Sequence, residues 1–527
     1  MPLLAGVSGR SPFRMIPVAV FPGLLDPAGP FEPVERALPA HFSDLQLDRI
    51  FAEASAPFAA PGLNALFQSP CQTPAVIAWR QTVMRELEQP DLAAAVDVFC
   101  GEMESVHCVL SMPAGTQPEA RQTRWFVEVA RRYCAAVQTF AAALAPMPLT
   151  AGGWLAWREY LQALIGGAGF MELQAHAEAL CSESGALRYE LLLDGNQVSV
   201  LPARDEAPED YGAVLKRDFA AWLPPREKSV VNVFPTRQLD PVEAGVLEGV
   251  RTLYPALFAQ LAEFRRVQAD FVDAGVARFL REVQFHRAWL AYIEPLRAAG
   301  MAFCYPTFST DGEVQVRGLF DLALARQRAA QGQGVVCNDL SLGADERVVI
   351  VTGPNQAGKT TFARAFGQLH HLAVLGCAVP AASACLRLCP KVLTHFEREE
   401  NFAELRSKLE DDLVRMREIL AVAGPDSLVL MNEVFASTTL QDAAGISHRS
   451  LQALLDSGAL GLIVTFIDEL ATPASGVVSL VGVMTGADPG SRSFRFARQP
   501  ADGHAYAMAI AARHGLTYEQ IRESLSS

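Results

Sequence analysis

The stretch VVIVTGPNQAGKTT, Val348 to Thr361, decides the fold of the C-terminal part of the chain. Five β-branched residues stand directly before the pattern G-x-x-x-x-G-K-[ST], and a helical pattern from Phe362 to Leu375 follows it. A strand, a glycine-rich turn and a helix N-terminus in this order bind phosphate, because backbone N–H groups and the helix dipole face the anion. The predicted nucleotide-binding residues are Gly353, Pro354, Asn355, Gln356, Ala357, Gly358, Lys359, Thr360 and Thr361.

Two side chains of this loop have predicted roles. Lys359 is expected to contact the outer phosphates, and the Thr360 hydroxyl is expected to bind Mg²⁺. The chain has only five lysines among its 44 basic residues, and one of them stands at this position. A chance match to the motif is therefore the weaker interpretation.

A second predicted strand, Ser427 to Met431, ends in Asn432 and Glu433. An apolar strand that ends in two carboxylates commonly supplies a Mg²⁺ ligand and then a general base. Here the first position is Asn432, which brings an oxygen but no charge, so Mg²⁺ is expected to be held more weakly. Glu433 is the candidate to orient the attacking water. The alternative is an ordinary core strand that ends in polar residues.

The composition excludes several classes of protein. Half of the 527 residues are apolar and 19% are charged, which suits packed cores and excludes disorder for most of the chain. Length alone allows about three or four domains. No run approaches the ~18 apolar residues of a membrane helix, so a membrane partner is not expected. The net charge of −14 disfavours a general polyanion-coating role, but a local basic face can still meet DNA.

The ten cysteines form no C-x-x-C pair, so a zinc ribbon and a thioredoxin-like redox pair are not indicated. Buried free thiols in a reducing compartment are the simpler interpretation. Near the N-terminus, Pro17, Pro22 and Gly23 break the apolar stretch that a signal peptide needs. A cytoplasmic location is therefore predicted.

The pattern along the chain predicts three regions. Residues 1–35 form an irregular lead-in, and residues 36–300 form a mainly α-helical core and lever domain. Within it, residues 187–202 alternate around Asp194-Gly195-Asn196, which predicts a small β-hairpin insertion. Residues 301–527 alternate β-branched runs with helical segments, which predicts an α/β domain with a mostly parallel sheet. The predicted strands are Val348–Thr352, Lys391–Phe396, Ser427–Met431, Gly461–Thr465, Val477–Met484 and Ser491–Arg498.

Several stretches of the C-terminal region resemble motifs of one known family. They are VCND (336–339), VIVTGPNQAGKTT (349–361), LGCAVPA (375–381), SKLEDDLVRMREIL (407–420), SLVLMNE (427–433) and VTFIDEL (464–470). Together they resemble the P-loop ATPase domain of the MutS family of DNA mismatch-repair and recombination proteins. The resemblance is specific from about Met301 onward and weaker in the helical region upstream.

The resemblance implies functions for individual residues. Asn338 would lie beside the adenine of ATP, and Gly353 to Thr361 would hold its phosphates. Thr360 and Asn432 would bind Mg²⁺, and Glu433 would be catalytic. Ser407, at a helix N-terminus, would reach the γ-phosphate bound by the partner subunit, which implies a homodimer.

Three departures from the family pattern change what is expected. Asn432 replaces the Mg²⁺-binding aspartate, and Phe466 replaces the histidine that senses the γ-phosphate, so hydrolysis is expected to be slow. The helical similarity begins near residue 40, which leaves no room for the family's mismatch-reading domain and its Phe-x-Glu wedge. Mismatch-specific recognition through that wedge is therefore not expected.

Two functions follow, with a third more remote. The first is a dimeric MutS-like ATPase whose arms bind duplex or branched DNA and respond to nucleotide state. The second is an ATP-dependent conformational switch of the same fold that acts on a protein partner without direct DNA binding. The third is a nucleotide-binding scaffold without turnover. The arginines available for DNA phosphates also suit a solvated helix face; they are Arg121, Arg124, Arg131, Arg132, Arg265, Arg266, Arg278, Arg281 and Arg287.

Overall fold

The structure is a computed structural model of the 527-residue chain. The residues that it describes are 21–31, 37–58, 62–113, 117–195, 197–204, 217, 239–354, 356–397, 408–435, 437–472, 474–484, 492–501, 518 and 520–522. Within these ranges, no helix combines the length and the apolar character needed to cross a membrane.

Helices dominate the described residues before Gly300. The helices in the described part of the chain are α1 (Ala40–Asp44), α2 (Leu47–Ser55), α3 (Leu63–Phe67), α4 (Pro74–Leu87), α5 (Pro90–Leu110), α6 (Glu119–Leu144), α7 (Gly152–Ile165), α8 (Ala168–Gly185), α9 (Pro241–Leu253), α10 (Pro255–Val267), α11 (Ala274–Ala298), α12 (Leu322–Ala329), α13 (Lys359–Leu375), α14 (Lys408–Val422) and α15 (Leu440–Ser457). A short 3₁₀ helix covers Asp468–Ala471.

Among the described residues, strands are concentrated in the C-terminal part, apart from one hairpin. They are β1 (Tyr189–Asp194), β2 (Gln197–Pro202), β3 (Thr307–Phe308), β4 (Val314–Leu319), β5 (Asn338–Leu342), β6 (Val348–Thr352), β7 (Ser383–Leu386), β8 (Lys391–Phe396), β9 (Ser427–Asn432), β10 (Leu460–Val464), β11 (Val477–Met484) and β12 (Arg492–Arg498). β1 and β2 pair antiparallel, with Leu191 opposite Val200.

The chain folds as two compact units. Of the described residues, the first unit contains Phe21, Leu87–Thr150 and Trp154–Leu280. The second contains Pro22–Glu86, Ala151–Gly153 and the residues from Arg281 onward. The domain boundaries at residues 35 and 300 stay a prediction from the sequence.

The first unit is built from amphipathic helices around an aromatic core. Along α6, the buried residues recur at three- and four-residue steps, which gives the helix one apolar face. Phe140 of that face stacks on Phe99 of α5, with ring centroids 4.5 Å apart. Phe279 stacks on Trp157 at 4.1 Å.

The region between Pro241 and Ala298 contains three helices. The first break lies at Tyr254 and Pro255, where Tyr254 leaves the helical conformation with φ −121° and ψ 55°. Proline has no N–H to donate and its ring disfavours a helical residue before it, which favours a helix end at this point. The second break separates Val267 from Ala274.

The second unit is centred on a six-stranded sheet with the order β12-β11-β6-β10-β9-β8. The five strands from β11 to β8 are parallel, and β12 pairs antiparallel with β11 at the edge. Because the strands are parallel, the carboxyl ends of β6, β9 and β10 lie at the same edge of the sheet. In α/β sheets, ligands bind at the carboxyl edge.

A second sheet and a buried helix complete this unit. The smaller sheet has the order β3-β7-β4-β5 and mixed strand directions. Helix α13 is buried along nearly its whole length, from Phe362 to Leu375. A helix that is buried on all sides is fixed by packing, and this holds the phosphate-binding loop at its N-terminus in place.

Candidate nucleotide-binding site

The predicted phosphate-binding loop connects β6 to the N-terminus of α13, as the sequence motif requires. Gly353 and Gly358 have φ values of +127° and +91°, which favour glycine. A Cβ on Gly353 would lie only 3.0 Å from the backbone nitrogen of Gly482 on β11. These two glycines therefore let the loop turn tightly beside the neighbouring strand.

The side chain of Lys359 is buried and turns back onto its own loop. Its Nζ donates to the carbonyl oxygens of Gly353 at 3.0 Å and Pro354 at 3.4 Å. Glu433 Oε1 lies 3.6 Å from the same nitrogen. The ammonium group thus stands between the loop backbone and the carboxylate that was predicted to be catalytic.

Thr360 and Asn432 meet although they are 72 residues apart in the chain. The Thr360 hydroxyl donates to Asn432 Oδ1 at 2.9 Å, and Asn432 is the buried last residue of β9. A hydroxyl oxygen and an amide oxygen are hard ligands of the kind that Mg²⁺ accepts. The pair fits a Mg²⁺ site completed by phosphate oxygens, but it supplies no negative charge.

Glu433 has a backbone conformation that is rare for residues other than glycine, with φ +52°. Its N–H donates to Val464 O at 2.9 Å on the adjacent strand β10. This bond holds the turn after β9 against the end of β10, so the Glu433 side chain stays at the carboxyl edge of the sheet. Residues with such outlying backbone angles cluster at functional sites.

Lys359, Thr360 and Glu433 line a single cavity of about 560 Å³. Its polar wall includes Gln356, Gly358–Thr361 and Glu433, and its other wall includes Val335, Val336, Asn338 and Phe494. The volume is within the range of small-ligand sites. The cavity therefore combines phosphate-binding groups with apolar and aromatic surface.

The predicted residue Asn338 lies in this cavity, but its amide also bonds to β12. Asn338 Nδ2 donates to Phe494 O at 3.0 Å, and Asn338 Oδ1 accepts from Phe496 N at 2.9 Å. The side chain therefore joins the start of β5 to the edge strand β12.

A buried ion pair fixes the wall of the cavity near α12. Asp321 accepts from Arg364 of α13 at 2.6 and 3.1 Å and from Gln368 at 3.1 Å. It also caps α12 by accepting from Leu324 N at 2.7 Å. Asp321 lines the cavity, so the phosphate-binding helix and the cavity wall are held together.

Four other residues complete the comparison with the sequence predictions. Ala357 is buried in the loop, and its N–H donates to Pro354 O. Phe466, two residues after β10, is 45% exposed. Asn355 and Ser407 lie outside the described residues.

Sequence reasoning missed Asp321, Arg364 and Phe494. Asp321 had a local signal, because an acidic residue directly before an apolar helical segment is a typical N-cap. Arg364 had none, since its partner is 43 residues away. Phe494 had none either, because its position depends on an irregularity in the pairing of β12.

Comparison with known proteins gives the family of this site. Residues 349–523 match the family model of MutS domain V. The C-terminal region is therefore similar to MutS domain V. The MutS resemblance found in the sequence is thereby confirmed, and with it the coarse fold: a helical N-terminal region followed by a P-loop ATPase domain.

Two curated relatives match a longer stretch of the chain than the family model does. The DNA mismatch repair protein MutS 2 of Halobacterium salinarum is 31% identical over 276 residues, which cover 51% of this chain and 29% of the relative. The Endonuclease MutS2 of Thermomicrobium roseum is 28% identical over 291 residues, which cover 54% of this chain and 36% of the relative. The match thus spans about a third of each relative's length.

Proposed function

We propose that this chain is a MutS-like ATPase that binds ATP with Mg²⁺ and hydrolyses it slowly. The observation that carries the proposal is the meeting of Lys359, the Thr360–Asn432 pair and Glu433 at the carboxyl edge of adjacent parallel strands. Phosphoryl transfer needs little covalent chemistry from a protein, so a site that positions phosphates, a metal and a water is sufficient.

Each residue has a distinct role in this mechanism. The backbone N–H groups of Gly353 to Thr361 bind the phosphates, and Lys359 neutralises the outer ones. Thr360 and Asn432 would hold Mg²⁺. When bound there, the ion would neutralise part of the negative charge on the phosphate oxygens. Glu433 accepts a hydrogen bond from the attacking water and orients it toward the γ-phosphate.

The slow rate follows from two neutral side chains at the sheet edge. Asn432 contributes an oxygen without charge, so the metal is attracted less than by a carboxylate. Phe466 cannot donate a hydrogen bond to the γ-phosphate, as a histidine would. Both changes weaken stabilisation of the transition state and leave the phosphate-binding loop intact.

The proposal includes a homodimer. In the family pattern, Ser407 completes the site of the partner subunit, and α14 begins directly after it at Lys408. Turnover would then depend on protein concentration, because one chain alone lacks the second half of each site. Analytical ultracentrifugation with and without ATP measures the association.

DNA is the first proposed partner, supported by the relatives, whose names include a DNA mismatch repair protein and an endonuclease. The arms of the dimer would bind duplex or branched DNA and change geometry with nucleotide state, without mismatch reading through a Phe-x-Glu wedge. Such binding needs arginines that neutralise phosphates and release counterions.

The alternative is a nucleotide-dependent switch that acts on a protein partner. Several candidate arginines pair within the chain: Arg124 lies 3.4 Å from Glu128, Arg131 also pairs with Glu128, and Arg132 lies 2.7 Å from Glu102. Such compensation, in a chain of net charge −14, reduces the attraction for DNA.

ATP turnover with and without duplex, mismatched and branched DNA tests the first function. DNA-stimulated hydrolysis that is lost in both Lys359→Ala and Glu433→Ala supports the DNA-coupled ATPase. ATP binding without any response to DNA supports the protein-partner switch. Absence of ATP binding contradicts both.

A charge variant separates the two partners further. Glu128→Gln releases Arg124 and Arg131 from their shared carboxylate, and Glu53→Gln, which breaks the 3.2 Å pair with Arg49, is the matched control. If this face of α6 binds DNA, only Glu128→Gln should tighten binding. The slope of log affinity against log salt should then steepen by up to about 2, because each phosphate contact contributes about 0.9.

A further inference from the structure

The outer edge of strand β1 is apolar and unprotected. β1 and β2 form a sheet of two strands, and among the described residues no third strand pairs with β1. Leu191, Leu192 and Leu193 of β1 are 50%, 54% and 72% exposed. Edge strands usually carry a lysine, a proline or a bulge that prevents pairing with another chain. β1 has none of these, and its register with β2 is continuous from Tyr189 to Asp194. Contiguous exposed apolar residues of this kind mark an interaction site.

The backbone groups of alternate residues of β1 face away from β2. In an antiparallel pair of strands, hydrogen-bonded and non-hydrogen-bonded residue pairs alternate. Pro202 lies opposite Tyr189 and has no N–H, so these two residues cannot exchange both bonds. The two-residue turn after Asp194 gives the same alternation, because the pair that closes such a turn is hydrogen bonded. The N–H and C=O groups of Tyr189, Leu191 and Leu193 are therefore directed to the open edge.

A second copy of β1 fits this edge in an antiparallel register centred on Leu191. Leu191 then lies opposite its own copy, and Tyr189 lies opposite Leu193 of the second copy. Outward backbone groups meet outward ones, so three residue pairs exchange two N–H···O bonds each. Tyr189, Leu191 and Leu193 also share one face of the strand, so their apolar side chains meet across the two copies. At each end of this pairing, Arg188 lies opposite Asp194 of the second copy.

Charge favours this register over its neighbours. Within one copy, Arg188 and Asp194 are separated by about 20 Å of extended strand, which is too far for them to pair with each other. A register centred on Leu192 would place Glu190 opposite Asp194, and one centred on Glu190 would place that residue opposite its own copy. Like charges directly opposite each other are destabilising. In the register proposed here, Glu190 faces Leu192 instead, and its own chain supplies a counter-charge, since Arg204 Nε lies 3.6 Å from Glu190 Oε2.

We propose that the outer edge of β1 is a contact between two copies of this chain, in which the two hairpins join into one four-stranded sheet. The contact lies in the first unit and is separate from the dimer proposed around the nucleotide site, so it does not need ATP. Two short strands bury less surface than the ~1,200 Å² of a standard stable interface. The contact is therefore weak, and its population depends on protein concentration.

Disulfide trapping of the full chain tests the register. Cα atoms of a hydrogen-bonded antiparallel pair are about 5.5 Å apart, which a disulfide spans, so Leu191→Cys should cross-link to its own copy under mild oxidation. Leu192→Cys is the matched control, because Leu192 is equally exposed but its Cα lies about 8 Å from its copy, beyond the reach of a disulfide. Non-reducing electrophoresis measures the dimer, and the wild type gives the background from its ten cysteines. Leu191→Cys should give at least about tenfold more dimer than either control.

Charge reversal tests the pairing at the two ends. In Leu191→Cys protein, Asp194→Arg places two arginines opposite each other and should lower cross-linking at least about fivefold. Adding Arg188→Asp restores opposite charges with their order exchanged, so cross-linking should return. Arg188 and Asp194 are both exposed, so these substitutions leave the packing of the first unit unchanged. Adding Lys359→Ala instead should leave cross-linking unchanged, which separates a failure of the nucleotide site from a failure of this contact.

Any of three results would overturn the proposal. Leu191→Cys that gives no more dimer than the wild type would show that a second copy does not occupy the edge, and would leave it to an extended segment of another protein. Equal cross-linking of Leu191→Cys and Leu192→Cys would show random collision rather than a fixed register. Cross-linking that ignores Asp194→Arg, or that does not return on adding Arg188→Asp, would show that these charges do not face each other.

Discussion

Replacing Asn432 by aspartate tests the proposed Mg²⁺ site with the smallest change of shape. Asn432 Oδ1 accepts the Thr360 hydroxyl at 2.9 Å, and a carboxylate oxygen accepts the same bond. The amide and the carboxylate have nearly the same size, so the end of β9 keeps its geometry. The variant therefore changes one property of the site, its charge, by −1.

The expected gain in metal affinity follows from Coulomb's law. Mg²⁺ sits about 2.1 Å from a ligand oxygen, which puts its charge about 3 Å from the centre of a carboxylate. Even at the dielectric constant of water, ~80, a +2 and a −1 charge at this separation attract by about 2.8 kcal/mol. That energy corresponds to a factor of about 100. A drier site strengthens the attraction, but the carboxylate also loses hydration there, and the two effects oppose each other.

The assay is ATP turnover titrated with Mg²⁺. Asn432→Asp should reach half-maximal turnover at about 100-fold lower Mg²⁺ than the wild type, and Asn64→Asp, at an exposed residue of α3, should not. In EDTA, Asn432→Asp should unfold at a lower temperature than the wild type, because the buried carboxylate then lacks a cation. A variant that needs as much Mg²⁺ as the wild type would refute the placement of the metal beside residue 432.

Three further outcomes are expected. Glu433→Gln keeps the size of the side chain but cannot take a proton, so turnover should fall by at least about 100-fold while ATP binding measured by calorimetry remains; turnover near the wild-type rate would remove Glu433 from the mechanism. Gly353→Ala places a Cβ 3.0 Å from Gly482 N at φ +127°, so affinity for ATP should fall by at least about tenfold, and unchanged affinity would show that the loop relaxes freely. Burial lowers the pKa of His370 from 6.5 to about 3, and the nearby Arg387 lowers it to a smaller extent. Below pH 6.5 the unfolded chain therefore binds more protons than the folded chain, so the folded state becomes less stable as the pH falls. Between pH 6.5 and 5, this proton binding lowers the free energy of unfolding by up to about 2 kcal/mol. Over the same interval, the free energy of unfolding of His370→Leu, measured with denaturant, should fall by about 2 kcal/mol less than that of the wild type.

The strands of the main sheet could be predicted because each is a short β-branched run between turn residues. Lys391–Phe396 and Val477–Met484 begin and end where the sequence predicts, and Gly461–Thr465 is shifted by a single residue. Their order in the sheet could not be predicted in the same way. It depends on which strands pair across long connections, and no local pattern encodes that choice.

The site residues also fall into those that a local motif predicts and those that depend on contacts between distant segments. Lys359 and Thr360 belong to one contiguous motif, whose spacing alone fixes their chemistry. The contact between Thr360 and Asn432 requires two strands to end at one edge, so the family resemblance supplied it. The bulge that carries Phe494 and its bonds to Asn338 depend on pairing between distant segments, which a single sequence does not reveal.

Asn432 and Phe466, two of the departures from the family pattern, both lower the charge or polarity at the same edge of the sheet. Asn432 is opposite Val464 in the register of β9 and β10, and Phe466 follows two residues later, so both neutral side chains replace charged or polar ones at neighbouring strand ends. The remaining pair, Lys359 and Glu433, is neutral as a whole. A triphosphate then meets less repulsion than beside an added carboxylate, even before a metal arrives. In the wild type, the ATP affinities measured with and without Mg²⁺ should therefore differ by no more than about tenfold. In Asn432→Asp, ATP affinity should depend steeply on Mg²⁺. Such a site separates nucleotide binding from hydrolysis, and a switch driven by occupancy rather than by turnover needs that property.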